Sequence, residues 1–403
     1  MSVKRRSVIA AALLGAIPSL GAAHAQETSS AGVTATQIKI GNTVPHSGPA
    51  SGYGAVGHSE AAYFKMINDQ GGINGRKIDF ISLDDGYSPP KTVEQTRKLV
   101  EQDQVLAVFG SIGTPTNTAV HQYLNSQKVP QLLLMTGATK WNDPKHFAWT
   151  SGFLPSYQAE GSIYAKYILR NIPDAKIGVL YQNDDFGKDY LKGIHDGLGA
   201  AGMKKMAKEV SYETTDPTID SQIVALQAAG ANVFINITIP KMAAQAIRKA
   251  ADIGWHPTQF LVNVSNSIST VLAPAGLDKS VGIISTLFVK DPSDSRWNDD
   301  PEMKAYLAWL AKYQPGADKS NVFNVWGYAD AALLMQVLKQ CGADVSRNNV
   351  MKQVAAIHDF HIPMTLPGME VNTAPDDWAI INQLQLEKFD GKVWVPFGNL
   401  ISG

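Results

Sequence analysis

The sequence contains a single cysteine, Cys341, in 403 residues. One cysteine excludes an intrachain disulfide, so a buried apolar core must hold the fold, and a chain of this length can supply one. The chain also has almost no net charge. It contains 35 Lys and Arg and 36 Asp and Glu, so its formal net charge is -1. No basic cluster stands out after residue 25, which argues against a nucleic-acid partner.

Long apolar runs are missing except at residues 8–20, which are too short to span a bilayer. A basic stretch at residues 4–6 precedes this run, and the small residues Ala23 and Ala25 follow it. This arrangement is typical of a secretory signal peptide, here residues 1–25. No cysteine stands at the cleavage site to carry a lipid, so we predict export to a periplasm without a membrane anchor.

From residue 37 onward, short β-branched runs alternate with amphipathic stretches. The rhythm predicts mostly parallel sheets with helices on both faces, and it restarts after residue 155, which indicates two α/β lobes. The predicted strands cover residues 38–44, 77–83, 105–109, 130–136, 176–181, 206–212, 233–238, 259–264 and 282–288. The predicted helices cover residues 57–68, 91–102, 158–171, 188–201, 221–229, 241–253, 301–313, 324–340 and 347–356. A β-hairpin is expected around Asp390-Gly391.

Residues 104–124 combine a buried strand, a turn rich in Gly, Ser and Thr, and a helix. Pro115 suits the first helical position and Thr114 the N-cap before it. Free N–H groups, hydroxyls and the positive end of the helix dipole favour an anion at such a terminus. We therefore predict that a carboxylate or phosphate docks here. The stretch offers neither a nucleophile beside a base nor metal ligands.

The other loops that follow predicted strands are also rich in Gly, Ser, Thr and Asn. In open α/β sheets, ligands bind outside the carboxyl ends of the strands. Two lobes that present such loops to each other form a cleft that can close on a small molecule.

The sequences of these loops and their flanks resemble those of a known protein family. In chain order they include VPHSGPASGYGAVG (44–57), INDQGGINGRKI (67–78), DDGYSPPKTVEQTRKLV (84–100), VFGSIGTPTNTAV (108–120) and NDDFGKDYLKG (183–193). This series resembles the periplasmic solute-binding proteins of the branched-chain amino acid (Leu/Ile/Val) ABC transporter family. The resemblance implies the type I periplasmic binding protein fold, with two Rossmann-like lobes joined by a three-strand hinge.

The resemblance also implies lobe boundaries, with crossings near Thr150, Ser285 and Asp377. The expected parts are a signal peptide (1–25), an N-terminal lobe (34–151 plus 284–377) and a C-terminal lobe (152–283 plus 378–403). It further implies ligand contacts at Tyr53, Gly113, Thr114, Gly137, Ala138, Thr139, Phe186, Thr238 and Val264. His46, Trp141 and Asn263 are additional candidates, and His46 is equally well explained as a structural histidine.

Val264 is where the sequence departs from the amino-acid binders, which carry an acidic residue there to pair with the ligand's ammonium. An ammonium enclosed without a counter-charge keeps its desolvation cost and loses a charge-assisted hydrogen bond. We therefore favour an aromatic or other apolar carboxylic acid as the ligand. The alternative is a branched-chain amino acid or amide, for which Asp294 or Glu160 would have to replace the missing acid.

As the resemblance implies, we expect a monomeric binding protein that hands its ligand to membrane permease subunits, or alternatively to a receptor. We expect no catalysis, cofactor or metal. An exported dinucleotide-dependent oxidoreductase is the out-of-class alternative, because residues 52–57 match G-x-G-x-x-G and Asp84 ends the next predicted strand. Residues 45–51 intervene between the first strand and this motif, however, whereas a dinucleotide site needs its first Gly directly at the turn.

Overall fold

The computed structural model describes residues 31–402, so the predicted signal peptide lies outside the described residues. The strands are β1 (Gln37–Val44), β2 (Lys77–Asp84), β3 (Ala107–Phe109), β4 (Gln131–Leu134), β5 (Thr150–Gly152), β6 (Ile177–Gln182), β7 (Met206–Tyr212), β8 (Val233–Ile237), β9 (Thr258–Leu261), β10 (Ile284–Leu287), β11 (Gln383–Phe389) and β12 (Trp394–Ser402). The helices are α1 (Gly54–Asp69), α2 (Pro89–Arg97), α3 (Thr114–Ser126), α4 (Tyr157–Asn171), α5 (Asp185–Gly202), α6 (Asp220–Ala228), α7 (Pro240–Asp252), α8 (Ala273–Ala275), α9 (Pro301–Tyr313), α10 (Val322–Cys341) and α11 (Arg347–Val354).

Two sheets form the centres of two lobes, which confirms the predicted fold class. The first sheet has five parallel strands in the order β2-β1-β3-β4-β5. The second has seven strands in the order β12-β11-β10-β9-β8-β6-β7. In the second sheet β6 to β10 run parallel, and β11 and β12 form an antiparallel hairpin at one edge.

Strand β10 joins the second sheet, although the sequence analysis assigned residues 284–377 to the N-terminal lobe. Its Ile284 pairs with Phe260 of β9, and the whole strand pairs with β11. The chain returns to the first lobe only afterwards, where α10 packs so closely on α1 that a Cβ at Gly327 would lie 2.3 Å from the Val56 carbonyl oxygen. The second crossing is thus displaced to the end of β10, and the remaining boundaries stay predictions.

Burial explains why the central elements were visible in the sequence. Every residue of β8 is buried, and α10 is buried around most of its circumference, so both sequences are predominantly apolar. Among the helices of residues 31–402, none combines the length and the apolar character needed to cross a membrane.

Candidate functional site

The N-terminus of α3 lies at the carboxyl end of β3, as predicted, but its cap differs. The helix begins at Thr114, and Gly113 occupies the N-cap position with φ 97° and no side-chain cap. A Cβ at Gly113 would lie 2.5 Å from Cε2 of Tyr87. The Thr114 hydroxyl instead lies 2.6 Å from the Thr136 hydroxyl at the end of the neighbouring strand. The predicted N-cap role of Thr114 is therefore wrong, because its side chain is committed to the adjacent loop.

A small cavity opens beside this helix terminus, between the two lobes, and we call it the interlobe cavity. Its lining residues are Tyr53, Val56, Tyr87, Ile112, Gly113, Met135, Leu154, Tyr157, Phe186, Ile239, Val264 and Trp326. The space open to the centre of a water-sized sphere is about 20 Å³. None of these lining residues is an Asp, Glu, Lys, Arg or His. The cavity is therefore apolar, with phenol and indole groups as its polar side chains.

Tyr53 closes the cavity from the first lobe. Its hydroxyl donates a hydrogen bond to the carbonyl oxygen of Val264, at 2.8 Å, and so links the lobes directly. Burial raises the pKa of Tyr53 well above its usual value, so the hydroxyl stays protonated as the donor. Val264 is itself buried and lines the cavity.

Tyr157, at the start of α4, was missed by the sequence analysis. Its ring covers Gly137, where a Cβ would lie 2.8 Å from Cδ1 of the ring, and stacks on Tyr190 at 4.5 Å. Burial raises its pKa to about 12, while hydrogen bonding with the Thr136 and Thr114 side chains lowers it. Tyr157 therefore shares the polar corner at the start of α3. The only sequence signal was an aromatic residue directly after an N-cap serine, Ser156.

Three predicted contacts after β4, together with Trp141, line a different and larger space. This hinge groove, of about 620 Å³, includes Gly137, Ala138, Thr139, Trp141 and the third crossing segment around Trp378 among its lining. The exposed Thr139 uses its N–H and hydroxyl to bind Asp189 Oδ2, at 2.8 and 3.0 Å. The buried Trp141 donates its indole N–H to the Thr136 hydroxyl at 3.2 Å.

The remaining candidates lie away from the interlobe cavity. The Thr238 hydroxyl donates to Asn236 Oδ1 at 2.7 Å, and its neighbour Ile239 lines the cavity instead. His46 lies 2.8 Å from the Ser82 hydroxyl through Nε2 and stacks on His58, so its position fits the structural explanation. Asn263 lines a separate cavity near β10.

Neither acid considered as a replacement at the Val264 position reaches the interlobe cavity. The Glu160 carboxyl is buried and accepts bonds from four donors, the Tyr164 and Tyr190 hydroxyls, the Asn263 N–H and the Thr286 hydroxyl, at 2.5 to 2.8 Å. Asp294 caps a short turn and pairs with Arg296. In residues 31–402, no group of three or more His, Cys, Asp or Glu is placed to hold a metal.

Comparison with known proteins identifies the family. The profile described as "Periplasmic binding protein" matches residues 37–390. The chain belongs to this family. This periplasmic binding protein is 26% identical over 309 residues to Leu/Ile/Val-binding protein homolog 1 of Brucella abortus, covering 76% of this chain and 79% of the relative. The family assignment confirms the resemblance found in the sequence.

Two solved structures share the fold of this periplasmic binding protein. One is a branched chain amino acid ABC transporter protein from Thermus thermophilus with bound valine, with a TM-score of 0.82, 14% identity and coverage of 92% of this chain and 98% of that chain. The other is a solute-binding protein of an ABC transporter from R. palustris in complex with benzoate, with a TM-score of 0.75, 20% identity and coverage of 91% and 98%.

Proposed function

We propose that this periplasmic binding protein captures a small apolar carboxylate, preferably an aromatic one, in the interlobe cavity and delivers it to the permease of an ABC importer. The observation that carries this proposal is the absence of any acidic or basic side chain among the described residues that line the cavity. Phe186, Tyr53 and Tyr157 supply aromatic surface against which a ring can pack.

The lining disfavours an ammonium group. A buried ammonium without an acidic partner loses a charge-assisted hydrogen bond worth about 1.5–3 kcal/mol and keeps its desolvation cost. Val264, which would have to be acidic in an amino-acid binder, presents only methyl groups and a carbonyl oxygen already bound by Tyr53. An ammonium-free ligand avoids both penalties.

The carboxylate of the ligand is proposed to bind at the start of α3. There the hydrogen-bonded hydroxyl pair of Thr114 and Thr136 has one O–H left to donate, the N–H groups of the first turn provide further donors, and the helix dipole favours negative charge. A space of about 20 Å³ is too small for a benzoate-sized molecule. The ligand therefore enters when the lobes separate.

The known ligands of similar proteins define the range. The R. palustris complex contains benzoate, in agreement with the favoured class. The second candidate is a branched-chain amino acid, because the Brucella relative is named for Leu, Ile and Val and the Thermus structure contains valine.

The family and the sequence also support a proposal about the cellular setting. We propose that residues 1–25 direct export and are removed, and that the mature protein acts as a monomer in the periplasm. The interlobe cavity holds no nucleophile beside a base, which supports binding without catalysis.

Thermal unfolding of the mature protein, denatured and refolded to remove any carried-over ligand, tests the ligand class. The decisive pair is leucine and 4-methylpentanoate, which differ only in the ammonium group, with benzoate and cinnamate beside them. A ligand at 100 times its Kd adds about 2.7 kcal/mol to the free energy of unfolding, a readily measured shift in Tm. We expect the ammonium-free acids to raise Tm and leucine to leave it unchanged.

Two substitutions in α3 locate the carboxylate. Thr114→Val removes the hydroxyl beside Thr136 and should abolish the shift. Thr116→Val is the control, because that buried hydroxyl bonds only the carbonyl oxygens of its own helix turn, at Ile112 and Gly113. A strong shift with leucine would replace the aromatic-acid proposal with the amino-acid one. An equal effect of both substitutions would move the carboxylate away from Thr114.

A further inference from the structure

A third space, the crossing cavity, lies where the segment after β10 passes β11. Asn263, Asn266, Asp291, Trp326 and Glu387 are among its lining residues. The space open to the centre of a water-sized sphere is about 10 Å³, which corresponds to a single such sphere. Trp326 lines both this cavity and the interlobe cavity, so the two spaces are neighbours.

Two carboxyl groups face this small space without a basic partner. Asp291 is 7% exposed and Glu387 is 1% exposed. Among the ion pairs of residues 31–402, none involves either carboxyl. The nearby Lys290 binds Asp300 and Glu302, and Arg296 binds Asp294. Buried carboxylates are normally paired or bound to a cation, so this arrangement leaves a charge to be balanced.

The two asparagines point to an occupant independently of the acids. Asn263 is 1% exposed, and neither its Nδ2 nor its Oδ1 has a hydrogen-bond partner. Asn266 uses Nδ2 for Glu387 Oε1 at 2.9 Å, but its Oδ1 has no partner. Buried amide groups rarely remain unbonded, so these atoms around a water-sized space indicate that a polar species fills it.

The charges decide which species fits. Asp291 and Glu387 line the same small space, so two ionised carboxylates there repel each other. A neutral water leaves this repulsion in place. A cation relieves it and can be bound by the unpartnered amide oxygens of Asn263 and Asn266.

We propose that the crossing cavity binds one water-sized monovalent cation, such as K⁺ or NH₄⁺, through the carboxylates of Asp291 and Glu387 and the amide oxygens of Asn263 and Asn266. Asp291 follows β10 and Glu387 lies on β11, so the ion ties together two of the segments around the hinge. This site does not depend on the ligand proposed for the interlobe cavity. The cation comes either from solution or from an ammonium group on a ligand that reaches past Trp326.

The site is tested by thermal unfolding of the mature protein without ligand. Tm is measured first in choline chloride and then with KCl or NH₄Cl in its place, at constant ionic strength. Choline is too large for the cavity and controls for screening. We expect a saturable rise in Tm of a few degrees for the wild-type protein. Glu387→Gln should remove the rise, whereas Glu370→Gln, which alters an exposed acid, should retain it. Asn263→Leu provides a second variant if Glu387→Gln does not fold.

Equal Tm values in choline, potassium and ammonium chloride, or a Glu387→Gln response like that of the wild type, would overturn a solution cation. The leucine and 4-methylpentanoate titrations then test whether the cation is instead an ammonium group on the ligand. If leucine stabilises the wild type and not Glu387→Gln, the ligand's ammonium is the cation, and the proposed ligand class fails while the site stands. If the Tm shifts caused by the salts and by leucine are the same in the wild type and in Glu387→Gln, the cation site is overturned. The result with aromatic acids does not alter that conclusion.

Discussion

Glu60 of α1 and Asp330 of α10 form a second buried acidic pair, this one in the core of the first lobe. A Cβ at Gly110 would lie 2.3 Å from Glu60 Oε1 and 3.1 Å from Asp330 Oδ2, so the two carboxyls flank one point. Asn42 Nδ2 donates to Glu60 Oε2 at 2.6 Å, while Glu60 Oε1 and both Asp330 oxygens have no hydrogen-bond partner. Burial raises the pKa of both groups well above their usual values, and Asp330 raises that of Glu60 further. The two carboxyls therefore lie near enough for the charge of one to disfavour ionisation of the other.

Glu60→Gln should flatten the pH dependence of stability. Because folding raises the pKa of Glu60, the folded state holds more protons than the unfolded state above about pH 4.3, and stability falls as pH rises. Each unit of raised pKa contributes about 1.4 kcal/mol to that fall. We expect urea unfolding to show a smaller loss between pH 5 and 8 for Glu60→Gln than for the wild type.

The exposed acid Glu370 provides the control for this measurement, since Glu370→Gln changes charge equally without removing a buried carboxyl. Other buried acids add to the slope in every variant, so the difference between variants isolates Glu60. Identical slopes for the two substitutions would contradict a raised pKa at Glu60.

At the scale of single residues, four of the candidates at strand ends come together in the structure, and their ligand contacts stay predictions. Tyr53, Gly113, Phe186 and Val264 meet in the interlobe cavity because each follows or borders a strand of its sheet. Tyr157 and Trp326 were missed, since their positions depend on how the crossing segments and α10 pack. Sequence alone also could not tell that Thr139 would bind Asp189.

At the scale of elements, apolar periodicity was sufficient for long buried pieces and failed for short or irregular ones. Helix α9 has the predicted bounds. Strand β5 was not predicted, because its three residues are too few to show an alternation of apolar and polar side chains. The predicted helix 91–102 ends as α at Arg97 and continues as a π-helical turn, Lys98–Gln102. The predicted strand 259–264 ends at Leu261, and a 3-10 turn, Asn263–Ser265, brings Val264 to the cavity.

Gly113→Ala should damage the start of α3 for two separable reasons. Its φ of 97° is unfavourable for any residue with a Cβ, at a cost of about 1–2 kcal/mol. The added Cβ would also lie 2.5 Å from Tyr87 and 2.8 Å from the Thr116 hydroxyl oxygen, which adds about 1–3 kcal/mol of overpacking. We expect urea unfolding to show a loss of about 2–5 kcal/mol, together with weaker ligand binding as Tyr87 is displaced.

Gly254→Ala separates these contributions, because Gly254 also has a positive φ, 67°, but no atom within 4 Å of the added Cβ. Gly254→Ala should lower the free energy of unfolding only by the cost of the unfavourable backbone conformation, and it should bind ligand normally. Equal losses for the two variants would mean that Tyr87 moves aside freely and that the packing around Gly113 is not tight.

At the scale of the whole molecule, the closed arrangement is held by a few polar contacts between the lobes. Tyr53 reaches Val264, Thr139 binds Asp189, and Lys140 forms an ion pair with Asp185 at 2.6 Å. The Asp185 side chain is 54% exposed, so its ion pair contributes little. Because these contacts exist only when the lobes meet, each shifts the balance between open and closed forms. The Thr139 and Lys140 contacts do so without entering the ligand cavity.

Asp189→Ala should favour the open form, because Asp189 accepts both the N–H and the hydroxyl of Thr139 across the cleft and also a bond from Gln158 at 2.6 Å. Asp196→Ala is the control on the same helix, since its carboxylate pairs only with Lys192 one turn earlier. Small-angle X-ray scattering should give a larger radius of gyration for ligand-free Asp189→Ala than for the control. The apparent Kd should rise in proportion to the lost closed population, about threefold to tenfold for a contact worth roughly 1 kcal/mol. A larger radius without a change in Kd would mean that the ligand binds the open form equally well, and closure would then play no part in retaining it.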